Sequence, residues 1–301
     1  MLSNDTIIIQ NDYLEVKSKS LGAELISIKS EKSGLQYLWQ GDTISWQDHA
    51  ILQFPIIANV KDGRYTYKEK QYEIMSHGFA RVSPFAIANQ TDTSVIYALK
   101  SNKKTFAMYP FYFTFNVSYT LIKNRIEVAY YIQNIGNDTM YFSAGYHPGF
   151  SCPIHKNETF EDYVLSFEKN ETAKSFTFNG NLLTDEMREI FGGGNQIPLS
   201  KALFAHDALI FEGLKSTKVM LQNKSNANPT IIINYGKVPY LAIWSTDKES
   251  SFVCIEPWFG LPDLAGREKD LKNKVGIEVL TPNNTFSWEC SIVFQAEVNN
   301  S

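Results

Sequence analysis

The sequence predicts an all-β fold, a large sandwich or barrel of antiparallel strands. Three observations support this prediction. Hydrophobic residues recur with a period of two in the most strongly patterned stretches, turn-forming residues follow at short intervals, and only two short stretches have helical character.

Two stretches show the alternation most clearly. Between Arg125 and Gln133, apolar side chains occupy every second position from Ile126 to Ile132. Aromatic and aliphatic residues alternate with polar ones in the same way from Phe286 to Phe294. Successive side chains of a strand point to opposite faces of the sheet, so both stretches are predicted to be strands with one buried face.

Clusters of Asn, Gly and Asp separate the patterned stretches. These residue types tolerate the backbone conformations of tight turns. The predicted turns lie at 61–63, 136–138, 179–181 and 226–229.

Two stretches are candidates for helical structure. The first runs from Asp185 to Phe191, with Thr184 as N-cap and the glycines 192–194 as its stop. The second, Leu264 to Lys274, is highly charged and is predicted to be a loop with one helical turn. No linker, charge shift or internal repeat divides the chain, so a single domain over residues 1–301 is predicted.

The composition restricts the binding partners. The chain has 28 Lys and Arg against 32 Asp and Glu, a net charge of -4, and its basic residues form no cluster. Binding to nucleic acid needs clustered cations, so it is excluded, and an anionic membrane surface is disfavoured. Three cysteines without CxxC spacing, no secretory signal and no apolar run of membrane length predict a reduced, cytoplasmic protein.

Four short segments combine titratable residues with aromatic residues or glycine at predicted strand ends: 77–81, 145–149, 206–209 and 254–260. In the second segment, His147 precedes Pro148 and Gly149, where a strand is expected to open. An unperturbed imidazole has a pKa of about 6.5, which suits a general acid near neutral pH. A hydrogen-bonded structural histidine is the alternative interpretation.

Glu256 ends the apolar run from Phe252 to Ile255 and precedes Pro257, which interrupts the backbone ladder. A carboxylate leaving an apolar strand loses hydration, and this loss raises its pKa and makes it a stronger base. A solvated glutamate at a strand end is the alternative.

Three further residues are candidates for contact with a substrate. Asp207 precedes an apolar strand and could accept hydrogen bonds from two neighbouring hydroxyl groups, Arg81 could contact a ligand oxygen, and Trp258 could pack against a sugar ring. An Asx turn, a surface ion pair and a core position are their respective alternatives. The sequence lacks phosphate-loop, GxSxG, HExxH and GxGxxG motifs, so neither a metal nor a cofactor is expected.

In their order and spacing, these segments resemble the aldose 1-epimerase (galactose mutarotase-like) family, and most closely its LacX-type branch. The resemblance extends over nearly the whole chain. Its strings are LGAELISI from Leu21, YLWQGD from Tyr37, FPI from Phe54, HGFAR from His77, GYHPGF from Gly145, HDALIF from His206, CIEPWFG from Cys254 and KVGI from Lys274.

The resemblance implies a β-supersandwich that holds a monosaccharide in an open cleft. It implies interconversion of the α and β anomers of an aldohexose by ring opening, without a cofactor. In this sequence His147 is then similar to the family's general acid and Glu256 to its general base. His77, Asp207 and Arg81 are similar to its sugar-binding residues.

One segment departs from the family pattern. After Phe-Pro-Ile the family commonly has Gly-Arg, whose guanidinium reaches the sugar, whereas this chain has Ile57-Ala58-Asn59-Val60. Asn59 can hydrogen-bond a sugar hydroxyl but carries no charge, and Arg64 is the candidate replacement for the missing guanidinium. The substrate therefore stays open between a free aldohexose and a hexose 6-phosphate, for which Lys61, Arg64 and Arg81 could supply cations. The same residues are also compatible with a non-catalytic carbohydrate-binding protein and, less well, with a glycoside hydrolase. The protein is expected to be a monomer or a homodimer.

Overall fold

The computed structural model describes residues 5–225, 231–246, 251–267 and 269–295, and the predicted turn at 226–229 lies outside these ranges. The first strands are β1 (Thr6–Gln10), β2 (Leu14–Lys19), β3 (Leu25–Ser30), β4 (Ala50–Gln53), β5 (Arg64–Tyr67), β6 (Lys70–Glu73), β7 (Ala86–Gln90), β8 (Ser94–Lys100), β9 (Phe113–Ile122), β10 (Arg125–Asn134), β11 (Met140–Phe142) and β12 (Ala144–Ser151). They are followed by β13 (Tyr163–Phe167), β14 (Ser175–Asn179), β15 (Leu182–Arg188), β16 (Gln196–Pro198), β17 (Leu209–Glu212), β18 (Lys218–Asn223), β19 (Ile231–Asn234), β20 (Tyr240–Trp244), β21 (Phe252–Phe259), β22 (Glu278–Leu280) and β23 (Thr285–Phe294). One short α-helix, α1, spans Lys103–Met108, and 3₁₀ turns occupy Lys61–Gly63, Ala80–Val82, Phe160–Asp162, Lys201–Phe204 and Leu271–Asn273.

Two large antiparallel sheets contain most of these strands. The nine-stranded sheet has the order β16-β13-β18-β19-β23-β10-β9-β8-β7, and the seven-stranded sheet has the order β15-β14-β17-β20-β21-β12-β4. The three-stranded sheet β1-β2-β3 and the pairs β5-β6 and β11-β22 complete the architecture. The prediction of an all-β supersandwich is confirmed.

The two strands predicted from the alternation are also confirmed. They are β10 and β23, which pair with each other in the nine-stranded sheet. Their apolar side chains face the seven-stranded sheet: the Tyr130 ring of β10 lies 6.4 Å from the Tyr146 ring of β12, and its hydroxyl donates to the Gly145 carbonyl. Because side chains alternate along a strand, Tyr146 inside the core places His147 on the outer face of the seven-stranded sheet.

The helix predicted at Asp185–Phe191 is wrong. Residues Leu182–Arg188 form β15, which pairs with β14 at the edge of the seven-stranded sheet, and the glycines after it form a turn. A helix this short gains little from its own hydrogen bonds, and the neighbouring strand offers a partner along its length. In the charged segment predicted from Leu264 to Lys274, the described residues 264–267 and 269–274 form a loop with one 3₁₀ turn at Leu271–Asn273, as predicted.

The helix α1 is a feature that the sequence analysis missed. Asn102 caps its first turn and forms a capping box with Thr105.

No helix among the described residues has the length and apolar character needed to cross a membrane. The three cysteines are buried and free of disulfide bonds.

Candidate active site

A cleft of about 750 Å³ opens on the outer face of the seven-stranded sheet. Its floor is formed by side chains of β12, β20 and β21, and its rim by the segments around 42–48, 58–59, 76–81 and 204–208. The structure brings together all but one of the predicted site residues here: Asn59, His77, Arg81, His147, Asp207, Glu256 and Trp258.

The strand register sets His147 opposite Glu256. On the paired strands β12 and β21, Gly145 pairs with Trp258 and Gly149 pairs with Cys254, so His147 and Glu256 are cross-strand neighbours. The prolines that follow each of them have no N–H to donate to the ladder. His147 Nε2 lies 3.2 Å from Glu256 Oε2, close enough for the two groups to share a proton.

Burial acts on the two groups in opposite directions. It raises the pKa of Glu256 well above its usual range, and the nearby charge of Asp207 adds to this, while Trp258 and Gln53 oppose it. It lowers the pKa of His147 well below 6.5, with smaller contributions from His77 and Arg81. Both changes disfavour charge, because a buried charge loses its hydration.

Aromatic rings orient the imidazole of His147. The Trp46 indole stacks on it with ring centres 4.8 Å apart, and the rings of Trp244 and His77 meet it edge-on at 5.8 and 5.4 Å. Within the described part of the chain, Nδ1 of His147 is buried and has no hydrogen-bond partner. Ring packing therefore takes the orienting role that a hydrogen bond to the second nitrogen plays in many catalytic histidines.

His77 is held by two donors. Its Nδ1 accepts from the Gln53 side-chain amide at 2.8 Å and from the Ala58 backbone N–H at 3.2 Å. Burial, with a smaller contribution from Arg81, lowers the pKa of His77 to about 3, so the ring is neutral at physiological pH. Ala58, His77 and Asp207 all have left-handed backbones, with φ of 45°, 61° and 76°. Such conformations are strained for residues other than glycine and occur often at functional sites.

The remaining residues lie at the rim. Arg81 Nη2 donates to Asp48 Oδ2 at 2.6 Å, so the guanidinium enters the cleft already paired with a carboxylate. Asp207 is exposed and accepts from the backbone N–H of Ala208 at 2.7 Å. The carbonyl of Asn59 accepts from the Asp263 backbone at 3.0 Å, which fixes this segment against the opposite wall.

Arg64 is the predicted site residue that does not line the cleft. It lies at the start of β5, where its guanidinium pairs with Glu73 at 2.9 Å on an exposed hairpin. The strand pairs Arg64 with Glu73 directly, so both side chains extend from the same face of the hairpin. Arg64 therefore does not replace the guanidinium that the family commonly has next to Phe-Pro-Ile.

Several residues that line or support the site were missed from the sequence, and one of them, behind the lining, had a readable signal. Gln53 is a polar residue inside the apolar run from Ile51 to Ile57, and it is fully buried beside His77 and Glu256. A buried polar residue in an apolar strand is informative because it needs a partner. Trp46 was noted only as part of the family resemblance, and Asp48 had no signal, since only the fold brings their loop over β12.

Cys254 adds a third potential metal-ligating atom beside His147 and Glu256. Its Sγ, one nitrogen of His147 and one carboxylate oxygen of Glu256 lie within 4.8 Å of one another. These three residues could hold a divalent cation with three protein ligands. Burial, aided by Glu256, raises the pKa of the Cys254 thiol well above 9, which favours the neutral thiol in the absence of a cation.

Comparison with known proteins gives a consistent result. The family model described as aldose 1-epimerase matches residues 5–269. Two LacX proteins of Lactococcus lactis subsp. lactis, one from a plasmid and one chromosomal, are each 32% identical over 289 residues, which is 93% of this chain and 96% of the relative.

Solved structures share the fold over nearly the full length. A galactose mutarotase related enzyme from Lactobacillus acidophilus superposes with a TM-score of 0.92 at 32% identity, covering 98% of this chain and 99% of the other. A galactose mutarotase-like protein from Lactobacillus casei ATCC 334 gives a TM-score of 0.91 at 28% identity, covering 97% and 100%.

Proposed function

This chain belongs to the aldose 1-epimerase family, and we propose that it interconverts the α and β anomers of a free aldohexose. The observation that carries the proposal is the juxtaposition of His147 Nε2 and Glu256 Oε2, 3.2 Å apart on the floor of an open cleft. An acid and a base that face one site from adjacent strands can act on two oxygens of one small molecule.

The reaction needs two proton transfers. Anomer exchange begins when a base removes the proton of the anomeric hydroxyl and an acid delivers a proton to the ring oxygen, which opens the ring to the aldehyde. Rotation about the C1–C2 bond presents the other carbonyl face, and reversed transfers close the ring. We assign the base role to Glu256 and the acid role to His147.

The opposed pKa changes fit these roles. One proton held between His147 and Glu256 leaves the pair neutral, which burial favours on both residues. A buried carboxyl with a raised pKa is a stronger base when ionised, and an imidazolium with a lowered pKa is a stronger acid. When the shared proton lies on His147, the same surroundings therefore make each transfer easier, and the pair carries the one proton that the reaction cycles.

The rest of the cleft supports a monosaccharide as substrate. Its volume of about 750 Å³ accommodates a hexose with surrounding water. His77, Asn59 and Asp207 offer a donor, an amide and a carboxylate for ring hydroxyl groups. Trp46, Trp244 and Trp258 offer aromatic surface for the apolar face of the ring.

The charge of the cleft favours a free sugar over a hexose 6-phosphate. Among the described residues that line it, the carboxylates are Asp42, Asp48, Asp207 and Glu256, and Arg81 is the one Lys or Arg. Arg81 is already paired with Asp48. Lys61 lines an adjoining pocket rather than the cleft. A phosphate would meet more negative than positive groups, which repels it.

A non-catalytic carbohydrate-binding protein would use the same cleft but has no need for a paired acid and base. The Glu256 carboxyl pays a hydration cost for being buried beside a histidine, and catalysis supplies a reason for that cost. We further propose a reducing, cytoplasmic location, in keeping with three free, buried cysteines, and a monomer or homodimer.

Polarimetry tests the proposed function. The protein, added to freshly dissolved α-glucose or α-galactose, should speed the approach to the equilibrium rotation well beyond the buffer rate. Glucose 6-phosphate, followed by NMR of its anomeric protons, should react with a kcat/KM at least about tenfold lower, which corresponds to about 1.4 kcal/mol of repulsion. The absence of any acceleration would contradict the epimerase, and a preference for the phosphate would contradict the free-sugar assignment.

A further inference from the structure

Gln53 reaches the active site across a whole strand. It ends β4 at the edge of the seven-stranded sheet, where it pairs with Gly145 of β12, and Gly145 in turn pairs with Trp258 of β21. A Cβ atom on Gly145 would lie 2.2 Å from Gln53 Oε1 and 2.7 Å from Trp258 Cδ1. Because Gly145 has no side chain, the Gln53 side chain has room to extend over it towards Glu256.

One amide group contacts two residues of the site. The NH₂ group of Gln53 donates to His77 Nδ1 at 2.8 Å and to Glu256 Oε2 at 3.3 Å. A carboxamide nitrogen carries two hydrogens, so both bonds can form at once. The contacts join the residue proposed as base to a residue proposed to bind the sugar.

The orientation of the amide is fixed by a neighbour. The backbone N–H of Ala58 also donates to His77 Nδ1, so this nitrogen accepts and carries no proton. A Gln53 amide turned the other way would place its oxygen next to the lone pair of His77 Nδ1, and two acceptors repel each other. The proton of the neutral His77 ring therefore lies on Nε2, and His77 presents an N–H donor.

Stability alone does not explain a glutamine at this position. Among the described residues, Gln53 Oε1 is buried and has no hydrogen-bond partner. A buried acceptor without a partner destabilises the folded protein, and an apolar side chain of similar length avoids this cost. The neighbouring positions of the run, Leu52 and Phe54, are apolar and fully buried.

We propose that Gln53 is a positioning residue, which keeps His77 in the Nε2–H form as a donor to a sugar oxygen and holds the Glu256 carboxylate in place as the base. This inference rests on the proposed function for its catalytic part. The contacts and the tautomer stand independently of it.

The test uses Q53M and Q53E, with Q36M as matched control. Gln36 is half-buried, and its amide donates to Ser27 at 3.1 Å in the first sheet rather than in the cleft. We expect kcat to fall about 10- to 100-fold in Q53M, since a small misplacement of a catalytic group has effects of this size. The Tm of Q53M should equal or exceed that of the wild type, and Q36M should keep wild-type kcat.

Two readouts separate positioning from a merely structural role. Removing the donor to Glu256 raises the pKa of its carboxyl, so the acid limb of the kcat/KM profile should move to higher pH in Q53M. In Q53E, an ionised carboxylate next to His77 accepts rather than donates, and a charge-assisted hydrogen bond from Nδ1–H to this carboxylate outweighs the longer, neutral contact of Nδ1 with the Ala58 N–H. ¹⁵N NMR of the histidine rings should therefore show the His77 proton on Nε2 in the wild type and on Nδ1 in Q53E.

Each outcome has a defined meaning. Wild-type kcat, pH profile and His77 tautomer in both Gln53 variants would overturn the inference. A wild-type protein that accelerates no sugar, but whose His77 tautomer changes in Q53E, would contradict the proposed function and leave the positioning of His77 supported. Should Q53M fail to fold, the nearly isosteric Q53E carries the same readouts.

Discussion

Two buried glutamates in this molecule have opposite properties. Glu24 and Glu256 are 2% and 1% exposed, yet the pKa of Glu24 is lowered to about 2 and that of Glu256 is raised well above 4.5. Burial pushes both values upwards. Only at Glu24 do other interactions more than offset it, so burial alone does not determine the charge of a carboxyl group.

The difference lies in the donors around each group. Glu24 accepts from the ammonium of Lys19 at 2.5 Å and from the backbone N–H groups of His49 and Ala50 at 2.6 and 3.3 Å, and the His49 ring lies 3.2 Å away. Glu256 has the amide of Gln53 at 3.3 Å and a histidine with lowered pKa at 3.2 Å. A carboxylate surrounded by donors is stable as an ion, whereas one with few donors is ready to take a proton.

The two sites are connected through β4. Glu24 binds the backbone at the beginning of this strand, and Gln53 at its end contacts Glu256. One carboxylate thus anchors the strand that positions the other. The comparison predicts that changes at Glu24 act on stability and changes at Glu256 act on the rate.

The largest expected effect is on the rate. E256Q and H147N should each lower kcat about 10²–10⁴-fold, because each removes one of the two proton carriers. The loss is measured by polarimetry with α-glucose at saturating sugar. The neutral glutamine keeps the shape of Glu256 without its hydration cost, so the Tm of E256Q should be no lower than that of the wild type.

Glu127 supplies a control for the loss of a charge. Its side chain is 42% exposed and pairs with Arg125 on the nine-stranded sheet, so E127Q should change neither kcat nor Tm noticeably. Near-normal turnover in E256Q or H147N would refute the assignment of base or acid, and a large loss of stability in E256Q would make Glu256 a structural residue like Glu24.

The next effect is on stability. E24Q should lower the free energy of unfolding by about 3 kcal/mol, because it leaves Lys19 without its partner and turns an NH₂ group towards backbone donors. Urea unfolding at pH 7 measures this change, with E127Q as the reference. A value below about 1 kcal/mol would mean that the four contacts of Glu24 contribute little.

The fold and much of the site were accessible from the sequence for a physical reason. Alternation along β10 and β23 records which side faces the core, and the segments around His147 and Glu256 place chemically active groups where apolar strands are interrupted by proline. Local patterns of this kind can be recognised in the sequence without knowledge of the tertiary structure. They predicted the all-β class, and together with the family resemblance they indicated the two residues of the proposed acid–base pair.

Other features depend on partners that are distant in the chain. The stretch around Asp185 has a helical pattern but pairs with β14. Arg64 is close to Asn59 in sequence, but its guanidinium pairs with Glu73 across the β5-β6 hairpin, outside the cleft. Gln53 and Glu256 are separated by 203 positions, and only the sheet order brings them together. Such contacts follow from register and topology rather than from local composition.

A smaller effect follows from the lowered pKa of Glu24. Because the folded value is about 2 and the ordinary value 4.5, its contribution is fully present above pH 4.5 and is lost as pH falls towards 2. About 2 kcal/mol should be lost by pH 3. The gap in unfolding free energy between wild type and E24Q should then shrink from about 3 kcal/mol at pH 6 to about 1 kcal/mol at pH 3.

Urea unfolding of both proteins at the two pH values measures this gap. Protonation of His77 on unfolding also destabilises the protein in acid, but it does so equally in both variants and cancels in the difference. A gap that stays constant with pH would show that the Glu24 carboxyl is not held as an ion.

Asp207 is a third carboxylate for the same comparison, and changing it should have the smallest effect, mainly on KM. It is exposed at the rim, where its backbone is left-handed and Ala208 is its close donor at 2.7 Å. Asp207 is exposed and is not one of the two proton carriers, so its expected role is to bind sugar hydroxyl groups. D207A should therefore raise KM about tenfold, with kcat changed less than about threefold. D207N should recover part of the affinity, because an amide still hydrogen-bonds to hydroxyl groups. A fall in kcat as large as that of E256Q would instead assign Asp207 to the chemistry, and the distinction between buried and exposed carboxylates would then not describe this cleft.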